Sequence, residues 1–256
     1  MILAVANQKG GVGKSTTADA IASGLRAAGQ KTLLIDLDPQ GNLTYTAGID
    51  NPFPTSYELL AKEASAQECI VPSASGDLLP ASSALSGADA RLQTTGKEYR
   101  LKEALKPLQN QYDLIIIDTP PALGILTVNA LTAADALLIP AQADIYSLQG
   151  IGQLYETVDA IKSYTNPSLS VLGILLTRYN SRTVLSRDLT EMMEETAKEL
   201  GTKVYQQPIR ESVVIREAQA GRESLFSYAP TSPVTKDYEK FLEELKEDLR
   251  NGQKEL

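Results

Sequence analysis

The chain has 256 residues, 43% of them hydrophobic and 22% charged, with a formal net charge of −8. It holds no His, no Trp and a single Cys, which excludes a Ser-His or Cys-His nucleophile, a His-bearing metal site, an internal disulfide and a thiolate-held zinc or iron–sulfur centre within one chain. That length and apolar content suffice for one large α/β domain, and the acidic balance argues against coating nucleic acid by bulk charge while leaving room for a local basic patch.

In chain order, "ILAVA" (2–6) predicts a short buried strand with no signal peptide before it. The loop "NQKGGVGKST" (7–16) follows. A helix is expected from Ser15 to Ala28, with Ala18, Ile21, Ala22 and Leu25 on one face and Gly29 as its C-terminal cap. "KTLLID" (31–36) predicts a second strand, ending in the turn "LDPQGN". Residues 50–80 carry Pro52, Pro54, Pro72 and Pro80 and predict an elaborated crossover or lid over one sheet edge. Cys69, beside Ile70 and Val71, is expected to be a small buried apolar side chain, which fits a reducing cytoplasm.

"DLIIID" (113–118), "DALLIP" (135–140) and "LSVLGILLT" (169–177) are uninterrupted aliphatic runs of the kind a parallel sheet covers on both faces. Helices are expected near 97–107, 123–134, 147–164, 184–200 and 236–250. This alternation predicts an α/β fold, a doubly wound and mainly parallel sheet with helices on both faces. We expect residues 1–256 to form one domain, with a terminal helix and tail over 236–256. No apolar run approaches the roughly 18 residues that span a bilayer.

Strand, glycine-rich loop and helix together form the context of a nucleotide phosphate loop. Gly10, Gly11, Val12 and Gly13 bring backbone N–H groups around phosphate oxygens, and the helix start adds its positive end. Lys14 is expected to reach the β- and γ-phosphates of ATP, Ser15 to bind Mg²⁺, and Thr16 to bond the α-phosphate. One departure stands out: the spacing G-x-x-x-x-G-K-[ST] meets Gln8 where the first glycine belongs, and a second lysine, Lys9, lies inside the loop.

Three carboxylates sit at strand ends, where open α/β sheets bind ligands. Asp118 tips the most apolar run and is expected to orient Mg²⁺ through water. Asp36 and Asp38 point to one side if the strand persists. Asp36 then either faces the metal or caps the turn, and Asp38 faces an attacking water. "DTPP" (118–121) is a stiff turn suited to reporting the γ-phosphate.

The segments "NQKGGVGKST", "LLIDLDPQGNLT", "YDLIIIDTPPALG", "AADALLIPAQADIYSLQGI" and "GILLTRYNSRT", with "QPIRESVVIREAQAGRESLFSY" (207–228) after them, resemble in this order the successive motifs of the ParA/Soj/MinD group of deviant Walker A P-loop ATPases. The likeness is strongest to the short ParA, or Soj-like, type without an N-terminal helix-turn-helix. It implies that Lys9 is the signature lysine, crossing to the phosphates of a second subunit when two copies sandwich two ATP molecules. It further implies phosphate binding by Lys14, Mg²⁺ binding by Ser15, water positioning by Asp38, a switch role for Asp118, and an adenine contact near Asn180 and the Pro208–Arg210 segment.

The function implied is DNA segregation: an ATP-bound homodimer that binds DNA non-specifically, stimulated by a ParB-like centromere-binding partner, cytoplasmic and nucleoid-associated when ATP-bound. Candidate DNA contacts are Arg182, Arg187, Arg216 and Arg222, with Arg178 and Arg210 as further basic positions, each weighed against an ordinary surface ion pair. The alternative is a MinD-like membrane-surface or protein-cargo positioning ATPase. The terminal segment carries an apolar stripe (Tyr238, Phe241, Leu242, Leu245, Leu249), but its other face is acidic, which anionic lipid repels, so no membrane partner is expected.

Overall fold

The computed structural model describes residues 1–181 and 184–252. Seven strands form one sheet: β1 (Ile2–Val5), β2 (Thr32–Asp36), β3 (Val71–Ser73), β4 (Gly76–Leu79), β5 (Leu114–Asp118), β6 (Ala136–Ala141) and β7 (Ser170–Leu176). Their spatial order is β3-β4-β2-β5-β1-β6-β7. All neighbours run parallel except the β3–β4 hairpin.

The aliphatic runs become strands because they are covered on both faces. Every residue of β1, β2, β5 and β6 is buried. Ile2, Ala4, Leu33, Ile35, Ile115 and Ile117 enter one core, while Leu3, Val5, Leu34, Leu114 and Ile116 enter the other. Each such fully buried aliphatic side chain contributes about 1.5–3 kcal/mol relative to exposure.

The first crossover uses the helix Lys14–Ala27. It ends as expected at Gly29, whose φ of 84° lets Gln30 N–H reach the Leu25 carbonyl and Gly29 N–H the Arg26 carbonyl. The chain then skips a strand position to lay down β2, and β5 later fills the gap beside β1. With β6 on its far side, β1 stands where the winding reverses, and its carboxyl end opens onto the crevice that binds ligands in such sheets.

Residues 50–80 build the sheet edge itself. Two short helices, Ser56–Ala61 and Ala66–Cys69, each begin with a capping box (Thr55 with Glu58, Ser65 with Glu68). The hairpin then sets β4 parallel to β2 and leaves β3 outermost, with Pro72 in that edge strand.

The helix Pro233–Gly252 turns Val234, Tyr238, Phe241, Leu242 and Leu245 into the core that holds Ala18, Ile21 and Leu25 of the phosphate-loop helix. Gly24 marks a close approach: a Cβ there would collide with Leu242 and lie 2.9 Å from Phe226. The outer face carries exposed Glu239, Lys240, Glu243 and Glu247. Among the described residues, no helix is long and apolar enough to cross a membrane.

Candidate nucleotide site

The carboxyl ends of β2, β5 and β1 lie level, with Asp36 opposite Asp118 and Asp118 opposite Val5. Thr119 Oγ1 donates to the Val5 carbonyl at 3.0 Å and fixes the β5 end against β1. From β1 the loop rises through Gly11 and Gly13, both left-handed (φ 75° and 84°), and Gly13 is the N-cap of the helix. A Cβ on Gly10 or Gly11 would meet open space. Beneath the loop, Thr177 at the end of β7 donates to the Val12 carbonyl at 2.7 Å.

Lys14 is buried, and its Nζ donates to the Lys9 carbonyl at 3.2 Å. Burial pushes its pKa down, and the charges of Asp118 and Asp38 offset that in part. Asp118 is fully buried, and neither carboxylate oxygen has a hydrogen-bond partner. Desolvation and then the neighbouring Asp36 hold its pKa well above the usual carboxylate range, while the Ser15 hydroxyl and Lys14 act the other way.

Asp36 is as deeply buried, but its oxygens are committed. Oδ1 accepts Asp38 N–H at 3.0 Å, and Oδ2 accepts both Thr44 N–H at 2.9 Å and Thr44 Oγ1 at 2.7 Å. Burial raises its pKa to about 6. Of the two expectations for Asp36, the geometry therefore shows the cap: it anchors the short helix Asn42–Thr46 from outside. Asp38 binds Gln40 N–H through Oδ1 at 2.9 Å and lines the cleft.

That cleft encloses about 650 Å³ and is walled by the glycine loop, Ser15, Thr16, Asp38, Tyr45 and Gln219. A second hollow of about 290 Å³ adjoins it between Thr16, Thr177, Ile209, Arg210, Ile215 and Tyr238. Arg210 lines this hollow, whereas Asn180 and Pro208 are not among its lining residues.

Lys9 is engaged outside the cluster of Asp36, Asp38 and Asp118. Its ammonium pairs with Asp144 and donates to Gln142 Oε1 at 3.2 Å. Asp144 also caps the helix Ile145–Tyr164, its Oδ1 accepting Ser147 N–H at 2.9 Å. Burial works against the Asp144 charge, but Lys9 and the Ser147 N–H outweigh it and hold the carboxyl below its usual range.

The basic candidates separate. Arg187 and Arg216 are exposed. Arg178 pairs with Glu211 at 2.9 Å, and Arg210 grips Asp237 with two bonds of 2.6 and 2.8 Å. Arg222 is bonded to Asp50 at 2.8 Å. Arg182 lies outside the described residues. Sequence reasoning did not single out Thr44, Asp144, Thr177 or Gln219. All four fall inside the quoted motifs, but Asp144, Thr177 and Gln219 each bond to a residue more than a hundred positions distant in the chain.

These residues fit a magnesium-bound nucleoside triphosphate. The glycine loop leaves room for a ligand, one buried lysine lies within the charges of Asp118 and Asp38, and both oxygens of Asp118 are unbonded. Among the described residues, no group of three or more carboxylate, His or Cys side chains is arranged to hold a metal directly. Mg²⁺ with Ser15, phosphate oxygens and water around it suits such a site, since it dehydrates reluctantly. Fold and site together define a P-loop nucleoside triphosphatase.

Comparison with known proteins narrows the class. Residues 1–171 match the AAA domain family model. The sporulation initiation inhibitor protein Soj of Bacillus subtilis is 39% identical over 256 residues, covering 98% of this chain and 99% of its own length. The chromosome partitioning protein ParA of Myxococcus xanthus is 46% identical over 195 residues, 74% of this chain and 69% of that protein. A solved structure from Mycobacterium smegmatis, named cobyrinic acid a,c-diamide synthase and holding ADP and magnesium, superposes with a TM-score of 0.85 at 37% identity, covering 98% of this chain and 96% of that one. The chain belongs to the ParA/Soj family of chromosome-partitioning ATPases. It is an ATPase with ATP and Mg²⁺ as its ligands.

Proposed function

We propose that the chain is an ATP-dependent dimerising switch for DNA segregation. Two copies close face to face over two ATP molecules, the closed dimer binds DNA without sequence preference, and a ParB-like centromere-binding partner accelerates hydrolysis and so releases the DNA. The observation that carries this reading is the division of labour between the two loop lysines. Lys14 is buried against the acids, whereas Lys9 stands on the rim, its side chain 28% exposed and held by Asp144 and Gln142. A cation placed there is suited to serve a site other than its own, as an arginine finger does in trans.

Bound Mg-ATP supplies the transferable phosphoryl group and a divalent charge that offsets the acids. For its part, the chain holds the phosphates with Lys14 and the loop N–H groups, fixes the metal through Ser15 and Asp118, and orients the attacking water with Asp38. Lys9 of the second copy neutralises charge on the transferred group. Exposed Arg187 and Arg216 are the described candidates for DNA phosphate contact. The membrane alternative is disfavoured because the apolar stripe of the terminal helix is spent on the core.

The test is Asp38→Ala with Mg-ATP. It should run as a dimer on sizing and bind DNA with an affinity that falls steeply with salt. A monomer, or DNA binding indifferent to nucleotide, would overturn the proposal.

A further inference from the structure

Arg222 follows the helix Val213–Ala220 and adopts φ 56°, while the adjacent Gly221 keeps an ordinary helical backbone. The left-handed position after a helix usually falls to glycine. Here it falls to a residue whose side chain forms a bridge. The Arg222 guanidinium donates to Asp50 at 2.8 Å and lies 4.4 Å above the Tyr45 ring. Tyr45 belongs to the short helix that Asp36 holds through Thr44, and the same turn carries Asp38, whose carbonyl accepts Gly41 N–H at 2.9 Å.

On the phosphate-loop side of the cleft, Gln219 Nε2 donates to Thr16 Oγ1 at 2.9 Å. A hydroxyl that accepts one bond keeps its own proton to donate elsewhere. Gln219 therefore sets the direction in which Thr16 offers that proton. The end of this helix and the residue two beyond it are thus fastened both to the phosphate-loop helix and to the segment carrying Tyr45 and Asp50, with Gln219 and Ala220 lining the nucleotide cleft.

We propose that Arg222 and Gln219 are positioning residues for ATP hydrolysis: Arg222, through Tyr45 and Asp50, holds the Asp38 turn in place, and Gln219 orients the Thr16 hydroxyl toward the nucleotide. Arg222 then serves the chain's own acid and not nucleic-acid phosphate. The proposal rests on ATP occupying the cleft and is independent of DNA binding.

The two anchors predict different kinetic signatures in the full-length protein. Arg222→Asp and Asp50→Arg should each lower basal kcat about fivefold with little change in KM for ATP, the combined worth of a stacked and charge-paired guanidinium. The double reversal should restore part of that loss. Arg222→Gly, which suits the left-handed backbone, should lower kcat like Arg222→Asp and guards against a folding artefact. Gln219→Ala should raise KM for ATP with kcat little changed.

If Arg222→Gly keeps full kcat, or the double reversal is no better than Arg222→Asp alone, the proposal fails. It fails equally if Arg222 variants lose only DNA affinity, with a salt slope smaller by about one, which marks a phosphate contact. DNA binding by the unsubstituted protein is measured alongside. Its absence would sink the segregation reading while leaving the kinetic pattern to decide the roles of Arg222 and Gln219.

Discussion

Asp36 and Asp118 end adjacent parallel strands in direct register, both wholly buried, yet Asp36 accepts three hydrogen bonds and Asp118 none. One carboxylate is built into the scaffold and the other is held ready for a ligand. The difference follows from what comes after each strand. The β2 turn folds back to deliver Thr44, whereas β5 runs into the proline-stiffened segment Thr119–Pro121, which offers Asp118 no donor.

Asp118 should therefore cost stability until its ligand arrives. Its folded pKa is raised above the unfolded value near 4, so its favourable contribution is complete below that value and is lost as pH rises through the folded pKa. Asp118→Asn should stabilise the nucleotide-free protein by about 1–3 kcal/mol at pH 7.5. The gain should shrink steadily toward pH 4. Chemical denaturation of both proteins at several pH values measures it, and a gain independent of pH would contradict the assignment.

Thr44 links three segments: its hydroxyl donates to Asp36 at 2.7 Å and accepts Ala81 N–H at 2.9 Å, tying the Asp38 turn to the end of β4. Thr44→Val keeps the shape but leaves the Ala81 N–H without its partner and takes one of three bonds from Asp36 in a buried setting. We expect a loss of about 1–3 kcal/mol in unfolding free energy together with reduced ATP turnover.

Lys9→Ala removes an ion pair that is about a third exposed, so its cost in stability should stay below about 1 kcal/mol. ATP affinity, set by Lys14 and the loop N–H groups, should be little changed, while partner-stimulated hydrolysis should collapse. Titration with a fluorescent ATP analogue and turnover assays separate the two. Turnover equal to the parent's would exclude action in trans.

Gly24→Ala runs against helix propensity, which alone favours Ala by about 1 kcal/mol. Because the new methyl would collide with Leu242 and crowd Phe226, the variant should lose about 1–3 kcal/mol instead. A stabilised variant would mean that the phosphate-loop and terminal helices do not pack this closely.

The central strands were legible because their burial on both faces leaves an unbroken aliphatic signature, as in 113–118. The β3–β4 hairpin was not. Its "VPS" and "GDLL" are short, one holds a proline, and the other opens on Gly76, whose φ of 136° and close approach to Thr32 suit glycine. At the site, the phosphate loop is a local pattern and reads directly. The commitments of Arg210 to Asp237 and Arg222 to Asp50 join residues far apart in the chain, and spacing carries no trace of them. Arg222 was further disguised by Gly221, which looks like the left-handed residue but is its neighbour.

The phosphate-loop helix and the helix that packs on its apolar face, Pro233–Gly252, stand far apart in the chain. Tyr238 Oη meets Thr17 Oγ1 at 3.3 Å, one residue beyond Thr16. Until that helix docks, Ala18, Ile21 and Leu25 lack part of their apolar cover. The ATPase centre is a finished object only once the segments that carry Thr17 and Tyr238 have met.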